Sequence, residues 1–363
     1  MASRQTYLGY ADTTAQILTS KWYGTDGPQN WFNAQDFWRS PNLMTALTDL
    51  MQLTGTRDYM TTAQNALTVS SPYFVLNQMP AYYDDEGWWG ALFLRLAALT
   101  GDTSWISIPQ EIFADLQGGW DNCAGGGVWW RRADKTYASG NEKGSIENEL
   151  YMDIAMGLYA GATAAGERQK YLDATHQTWQ WMQALIDVNG LLQGSLNQDG
   201  TIDSKNPGRP YNEGVILGPL WALFTVADDT TYLDRAQQIA DAALKCMTWP
   251  DGILQEVCEK DKNCGDDLNP PLFKGVFVRY LGEFAHRLAT LDDPARRQAA
   301  QRYATFLQHN ADTLWANYCP GHIFGMDWHT KDKDYQPTGN MMLDGCLQSS
   351  ALDLFIAAAL VSQ

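Results

Sequence analysis

"AYYDDEGWWGALFLRLAALT", residues 81–100, holds the residues on which fold and function both turn. From Gly87 onward its apolar residues recur at helical spacing, which predicts a helix over 87–100. Just before that helix, Asp84, Asp85 and Glu86 stand between Tyr82, Tyr83, Trp88 and Trp89. Acids at a helix start complement its positive end, an effect of only about 0.3–1 kcal/mol at an exposed site. Four large aromatics around the acids suggest a second reading. In such low-polarity surroundings one carboxyl stays protonated while a wetter or hydrogen-bonded neighbour stays ionised.

Outward from this stretch, helical spacing dominates the chain and strict alternation is scarce. Twelve helices are expected, near 5–22, 40–54, 57–77, 87–100, 103–119, 146–166, 167–189, 212–226, 230–247, 273–291, 294–315 and 347–361. Short turns such as "TGTRD" (54–58) and "LTGDT" (99–103) alternate with longer Gly-, Pro- and Asn-rich segments at 78–86, 120–145, 190–211, 248–272 and 316–346. Six helical hairpins joined this way would wrap into a ring of inner and outer helices, with the long loops gathered at one end. The expected class is all-α, in a single domain spanning 1–363.

Composition sets outer limits. The 363 residues carry a formal net charge of −17, which repels phosphate backbones and argues against nucleic acid as a partner. A neutral glycan is indifferent to that charge. No run of 18 apolar residues is present, so no membrane span is expected. Six cysteines, at 123, 246, 258, 264, 319 and 346, suggest three disulfides and an oxidising compartment, with Cys258 and Cys264 clipping a charged loop. "MASRQTYLGY" lacks the apolar core of a signal peptide, so a secreted protein would be present here as its mature form. P-loop, GxSxG and HExxH motifs are missing, and "SLNQDGTIDSKN" (195–206) lacks the ligands of a calcium loop. Neither metal nor cofactor is expected.

The remaining chemistry is that of sugars. Glycoside cleavage uses two carboxyls, about 5–5.5 Å apart for retention and roughly 6.5–9.5 Å for inversion, and adjacent aspartates favour the shorter class. A magnesium–diphosphate site of the terpene-cyclase type would need an acid one turn on, where Trp88 and Trp89 stand instead. Trp129 and Trp130 follow Gly125–Gly127 in a long loop and offer flat faces to a sugar, as do Trp88 and Trp89, with one of each pair expected to pack inward. Tyr137, Tyr211, Trp328 and Tyr335 are weaker aromatic candidates. Asn148, Asn212, Glu213, Lys274 and Asp327 could bind hydroxyls; the plainer expectation is helix-start charge for Glu149 and Glu213 and a solvated surface position for Lys274. Arg279 reads as an internal salt-bridge partner, and His322 and His329 as ordinary histidines.

"YYDDEGWWGALFL" closely resembles the signature of glycoside hydrolase family 76, the endo-α-1,6-mannanases. "GGGVWWRR" (125–132), "KGSIENELYM" (143–152), "YNEGVILGPL" (211–220) and "FKGVFVRYL" (273–281) agree with the family in order. The resemblance implies an (α/α)6 barrel and a retaining endo-α-1,6-mannanase, with Asp84 as nucleophile and Asp85 as acid/base. Tyr83, Trp88, Trp89, Trp129, Trp130, Tyr137, Asn148, Tyr211, Asn212, Lys274, Asp327 and Trp328 would then contact α-1,6-linked mannan. It further implies a monomeric, secreted protein of the fungal type. A transglycosylase of the same fold and a non-catalytic mannan-binding protein are the alternatives.

Overall fold

The computed structural model describes residues 2–23, 38–65, 68, 79–260, 269–332 and 335–362. Among these, structure is overwhelmingly helical, and the only ladder pairs Lys143–Gly144 with Ser195–Leu196. The all-α class expected from periodicity is the observed one. Helix Arg4–Trp22, Arg39–Thr54, Ser107–Gly119, Thr230–Cys246 and Pro294–Asn317 lie close to their expected positions. The helix expected over 57–77 falls mostly outside the described residues.

Boundaries differ where a cap or a tertiary bond sets the start. Helix Tyr83–Thr100 begins at Tyr83 rather than Gly87, so all three acids occupy its first turn. Helix Met341–Leu360 begins six residues before the expected 347, because the Asn340 side chain accepts from the N–H groups of Met342 and Leu343 at 3.1 and 3.2 Å. Helices Ser145–Gly161 and Ala165–Met182 are separated at Ala162, which is extended (ψ 135°).

The chain forms two compact units, Met60–Ile239 and Met1–Tyr59 with Ala240–Gln363. In the second, Met341–Leu360 packs against Arg4–Trp22, Arg39–Thr54, Pro270–Ala289 and Pro294–Asn317. It is the one described helix long and apolar enough to cross a membrane, yet 89% of its apolar window is buried inside the protein. That identifies it as a core helix. A Cβ on Gly275 would lie 2.6 Å from Ser350 Cα, and one on Gly282 would lie 2.7 Å from Ala357 Cβ. Contacts that advance together along both helices mean that Pro270–Ala289 and Met341–Leu360 run parallel, backbone against backbone. Arg279, as expected, is an internal partner: it donates to both carboxylate oxygens of Asp353 at 2.9 Å and to the side-chain oxygen of Asn42 at 3.2 Å.

The disulfide framework is corrected. Cys123, Cys246, Cys319 and Cys346 are free, so three disulfides do not form. Cys346 is core, its thiol 3.6 Å from Met342 Sδ on the preceding helical turn, whereas Cys246 and Cys319 are exposed. Free cysteine commonly behaves as a small apolar residue. Cys264 lies outside the described residues.

In the Met60–Ile239 unit, helix Tyr83–Thr100 packs on Ser145–Gly161 through the same device. A Cβ on Gly87 would be 2.9 Å from Leu150 Cβ, one on Gly90 2.5 Å from Ile154 Cδ1, and one on Gly157 2.6 Å from Leu94 Cδ1. These two helices are also parallel, so their N-terminal ends meet.

Two glycine substitutions should separate close approach from helix propensity. Gly9 has open space around its Cβ position, so Gly9→Ala should stabilise the protein by about 0.5–1 kcal/mol. Gly275→Ala must move backbone and should cost about 1–3 kcal/mol. Urea unfolding of both variants would check this, and equal effects would refute the packing account.

Candidate active site

Residues 80–83 are fastened to a loop 50 residues further on before any helix begins. Tyr83 N–H donates to Trp130 O at 2.9 Å, Arg132 N–H donates to Ala81 O at 2.9 Å, and Tyr82 bridges Arg131. No side chain caps this helix end; the loop backbone takes that role. Asp84 and Asp85 therefore emerge from the first turn beside Trp130.

Asp84 is half-buried, and burial pushes its carboxyl up to about 6, against opposing hydrogen bonds from the Trp130 side chain and local backbone. Its Oδ1 is buried without a partner. Asp85 is half-buried next to it. Glu86 points the other way and is fully buried, accepting from Arg132 Nη2 at 2.9 Å. Burial, then the neighbouring Asp115, raises Glu86 to about 9. Arg132 also pairs with Asp115 and lies 4.3 Å over the Tyr83 ring.

The loop that carries Trp130 is organised around Lys143, whose ammonium is fully buried. It donates to Asp121 Oδ1 and to the carbonyls of Asp121, Cys123 and Gly126, and sits 4.9 Å over the Trp129 ring. Asp121 in turn accepts from Trp129 Nε1 at 2.7 Å. Burial alone would raise the Asp121 carboxyl, but the Lys143 and Trp129 bonds hold it below its ordinary value. Gly127 adopts φ +91°, and a Cβ there would lie 2.8 Å from the Trp181 ring. The loop thus wraps an indole whose N–H donates to Ala124 O at 3.0 Å.

The start of helix Ser145–Gly161 supplies the floor. The Glu147 side chain accepts from Gly144 N–H, half of a capping box. Asn148 accepts from Val128 N–H at 2.8 Å and donates to Gly144 O at 2.8 Å and Val128 O at 3.2 Å. Glu147, Glu149 and Glu213 are all fully buried. Burial pushes each of them well above the ordinary carboxylate range, with Asp84 adding to the effect on Glu147 and Glu213 to that on Glu149. Tyr211 is half-buried, and burial followed by the charge of Asp84 raises its phenol. The Tyr211 ring lies 6.4 Å from that of Trp88.

The expected contact residues divide accordingly. Trp130, Tyr137 and Tyr211 are half-buried, as are Asp84 and Asp85, and Tyr82, its ring tilted 40° to that of Trp130 at 4.5 Å, joins them. Tyr83, Trp88, Trp89 and Trp129 are at most 4% exposed and belong to the core, because the bridge to residues 130–132 turns their rings inward. Asn148 and Asn212 are buried too and hold backbone, Asn212 accepting from Arg209 N–H at 2.9 Å. Glu149 and Glu213 are not solvated helix-start charges. Lys274, Asp327 and Trp328 cluster together within the unit formed by Met1–Tyr59 and Ala240–Gln363. There Lys274 is buried instead of solvated, bonded to Glu259 at 2.9 Å and to Met326 O, 4.7 Å over the Trp328 ring. Asp327 accepts from the backbone N–H of His329 and Thr330. Lys143, Asp121 and Glu147 were not singled out from the sequence. For Lys143 and Glu147 the signal is the match of "KGSIENELYM", which contains both; for Asp121 the sequence carries none. Among the described residues no group of three His, Cys, Asp or Glu is placed to hold a metal ion.

Comparison with known proteins points the same way. The family model described as glycosyl hydrolase family 76 matches residues 8–360. Mannan endo-1,6-alpha-mannosidase DFG5 of Candida albicans is 28% identical over 214 residues, 55% of this chain and 46% of that protein. The matched region thus spans about half the length of that relative. Similar solved structures include the Lin0763 protein of Listeria innocua, 23% identical with a TM-score of 0.78 over 97% of each chain. An α-1,6-mannanase of Salegentibacter sp., solved with α-1,6-mannotriose as an inactive variant with two consecutive aspartates changed to asparagine, is 21% identical with a TM-score of 0.79 over 98% of this chain and 99% of that one. Dfg5 of Chaetomium thermophilum, solved with glucosamine, is 17% identical with a TM-score of 0.74 over 98% and 92%.

Two measurements probe this architecture. Gly127→Ala forces a side chain into a strained conformation against Trp181 and should cost about 1–3 kcal/mol in urea unfolding; an unchanged midpoint would show that the loop is pliable. Burial keeps Glu213 protonated to higher pH in the fold than in the unfolded chain, where it ionises above about pH 4.3, so from there upward the unfolded state binds fewer protons and stability falls as pH rises. Glu213→Gln removes that loss. Its melting temperature relative to the parent should climb as pH rises above about 4.3, and a constant difference would mean that burial does not raise this carboxyl.

Proposed function

Since the chain belongs to glycosyl hydrolase family 76, we propose that it is an endo-acting α-1,6-mannanase whose catalytic pair is Asp84 and Asp85. The observation that carries this reading is a consecutive aspartate pair on one helical turn, one member held in a low-polarity setting by an indole donor. The Salegentibacter relative, inactive with two consecutive aspartates replaced and bound to α-1,6-mannotriose, supports it. So does the likeness to the Candida mannan endo-1,6-alpha-mannosidase.

In the proposed double displacement the ionised Asp84 carboxylate attacks the anomeric carbon while Asp85 protonates the departing glycosidic oxygen. Asp85 then takes a proton from water as the water oxygen attacks the anomeric carbon; the bond to Asp84 breaks, its carboxylate is restored, and the sugar leaves with its configuration retained. Two parallel helix ends favour negative charge at Asp84 once the substrate has displaced water. Tyr82, Trp130 and Tyr211 supply half-exposed ring faces for the sugar. A polymeric substrate places the reaction outside the cell.

Asp84→Asn and Asp85→Asn should each reduce product release from linear α-1,6-mannan by roughly 10²–10⁴-fold with the melting temperature retained. Short products from the parent alone would support hydrolysis, and products longer than the substrate would mean transfer. With Asp84 as nucleophile the ionised form is the active one, so kcat/KM should fall as pH drops through about 6. Trp130→Phe removes a bond that lowers Asp84 and should move this limb upward. A limb near 6 on which activity instead falls as pH rises would exchange the roles of the two aspartates.

A further inference from the structure

A second sugar-compatible place lies in the Met60–Ile239 unit, away from the aspartates. A cavity of ≈ 670 Å³ opens between helices Ser107–Gly119, Ser145–Gly161 and Ala165–Met182. That is within the range of about 300–1,000 Å³ usual for small-molecule sites. Its lining includes Trp120, Tyr151, Gln117, Gln169, Asp173 and Gln177, and none of Asp84, Asp85, Trp130 or Tyr211.

The lining is chemically specific. Three glutamine amides each offer a donor and an acceptor, which matches a hydroxyl that both gives and receives a hydrogen bond. Trp120 adds aromatic surface for the C–H face of a ring, whereas Tyr151 is 3% exposed and stacks on Phe113. The only charges are one of each sign, Lys170 and Asp173. Both are occupied: Asp173 accepts from Gln169 Nε2 at 2.7 Å, and the Lys170 ammonium lies 4.9 Å over the Phe113 ring. The two opposite charges sum to zero across the lining, and an anion would also meet the net charge of −17. The ligand that fits is neutral, rich in hydroxyls and partly apolar.

We propose that this cavity is an ancillary binding site for a neutral oligosaccharide segment, namely a second stretch of the polymer cleaved at the aspartates. The inference rests on the mannanase reading for the identity of the sugar, though not for its class. A site of this kind holds the enzyme on a chain between cuts and raises the effective concentration of cleavable bonds. Trp120 links it structurally to the loop already described, since a Cβ on Gly126 would lie 2.9 Å from the Trp120 ring.

The test combines Gln117→Ala with Gln177→Ala, both exposed, in two backgrounds. In an Asp84→Asn background, retention on immobilised linear α-1,6-mannan should weaken about tenfold, the loss expected for two ordinary hydrogen bonds. In the otherwise unchanged enzyme, kcat/KM on a short α-1,6-manno-oligosaccharide should stay the same. Unchanged retention would overturn the site even if mannan is cleaved normally. So would a parallel loss of short-substrate activity, since that places these residues in the catalytic machinery. If the parent cleaves no mannan but a panel of neutral glycans reveals another whose binding the double variant loses, the site stands and the mannanase reading falls. Binding of no glycan by the parent would end both.

Discussion

Helices Tyr83–Thr100 and Ser145–Gly161 lie so close that side chains cannot fit between them at Gly87, Gly90 and Gly157, and they run the same way. Most of the site follows from that contact. Parallel helices bring two positive ends to one place, so carboxyls concentrate there at lower cost than elsewhere in an apolar interior. The chain leaving helix Ser107–Gly119 must return across these ends to enter Ser145, and its backbone groups are met by Asn148, Asn141, Lys143 and the bridge to Tyr82. Aspartates, indole and loop are thereby held as one body within the unit.

The burial of charge is uneven in a way that matters. Lys143 is fully buried but fully answered, with carbonyls and Asp121 around its ammonium. Glu147 and Glu149 are fully buried among other acids, and burial pushes both carboxyls well above the ordinary range. Local rigidity and a tuned proton affinity thus come from the same short stretch, 143–149.

Sequence patterns reveal what is periodic or local and miss what is answered from afar. The helices declared themselves through 3.6-residue spacing, and the Asp pair through its aromatic company. Arg279 read correctly as an ion-pair partner because a cation within an apolar helix needs one. Trp88 and Trp89 looked like sugar platforms, yet burial depends on which way residues 80–83 are turned, and that is decided by a loop 50 residues away. Lys274 read as a hydroxyl-binding residue or, more plainly, a solvated one, because nothing nearby in sequence shows Glu259 or Met326 approaching. The cysteine count suggested pairs, but pairing is a matter of three-dimensional distance, and four of the thiols remain free.

The order of elements along the chain has a consequence for biosynthesis. Helix Met341–Leu360 is the centre of its unit, touched by helices from both the first and the last parts of the chain. During translation the 60–239 segment can consolidate while that centre is still unmade. The apolar faces of Arg4–Trp22 and Arg39–Thr54 must wait until the final helix leaves the ribosome. Those two early helices therefore keep apolar surface unpaired with its native partner until residues 341–360 have emerged.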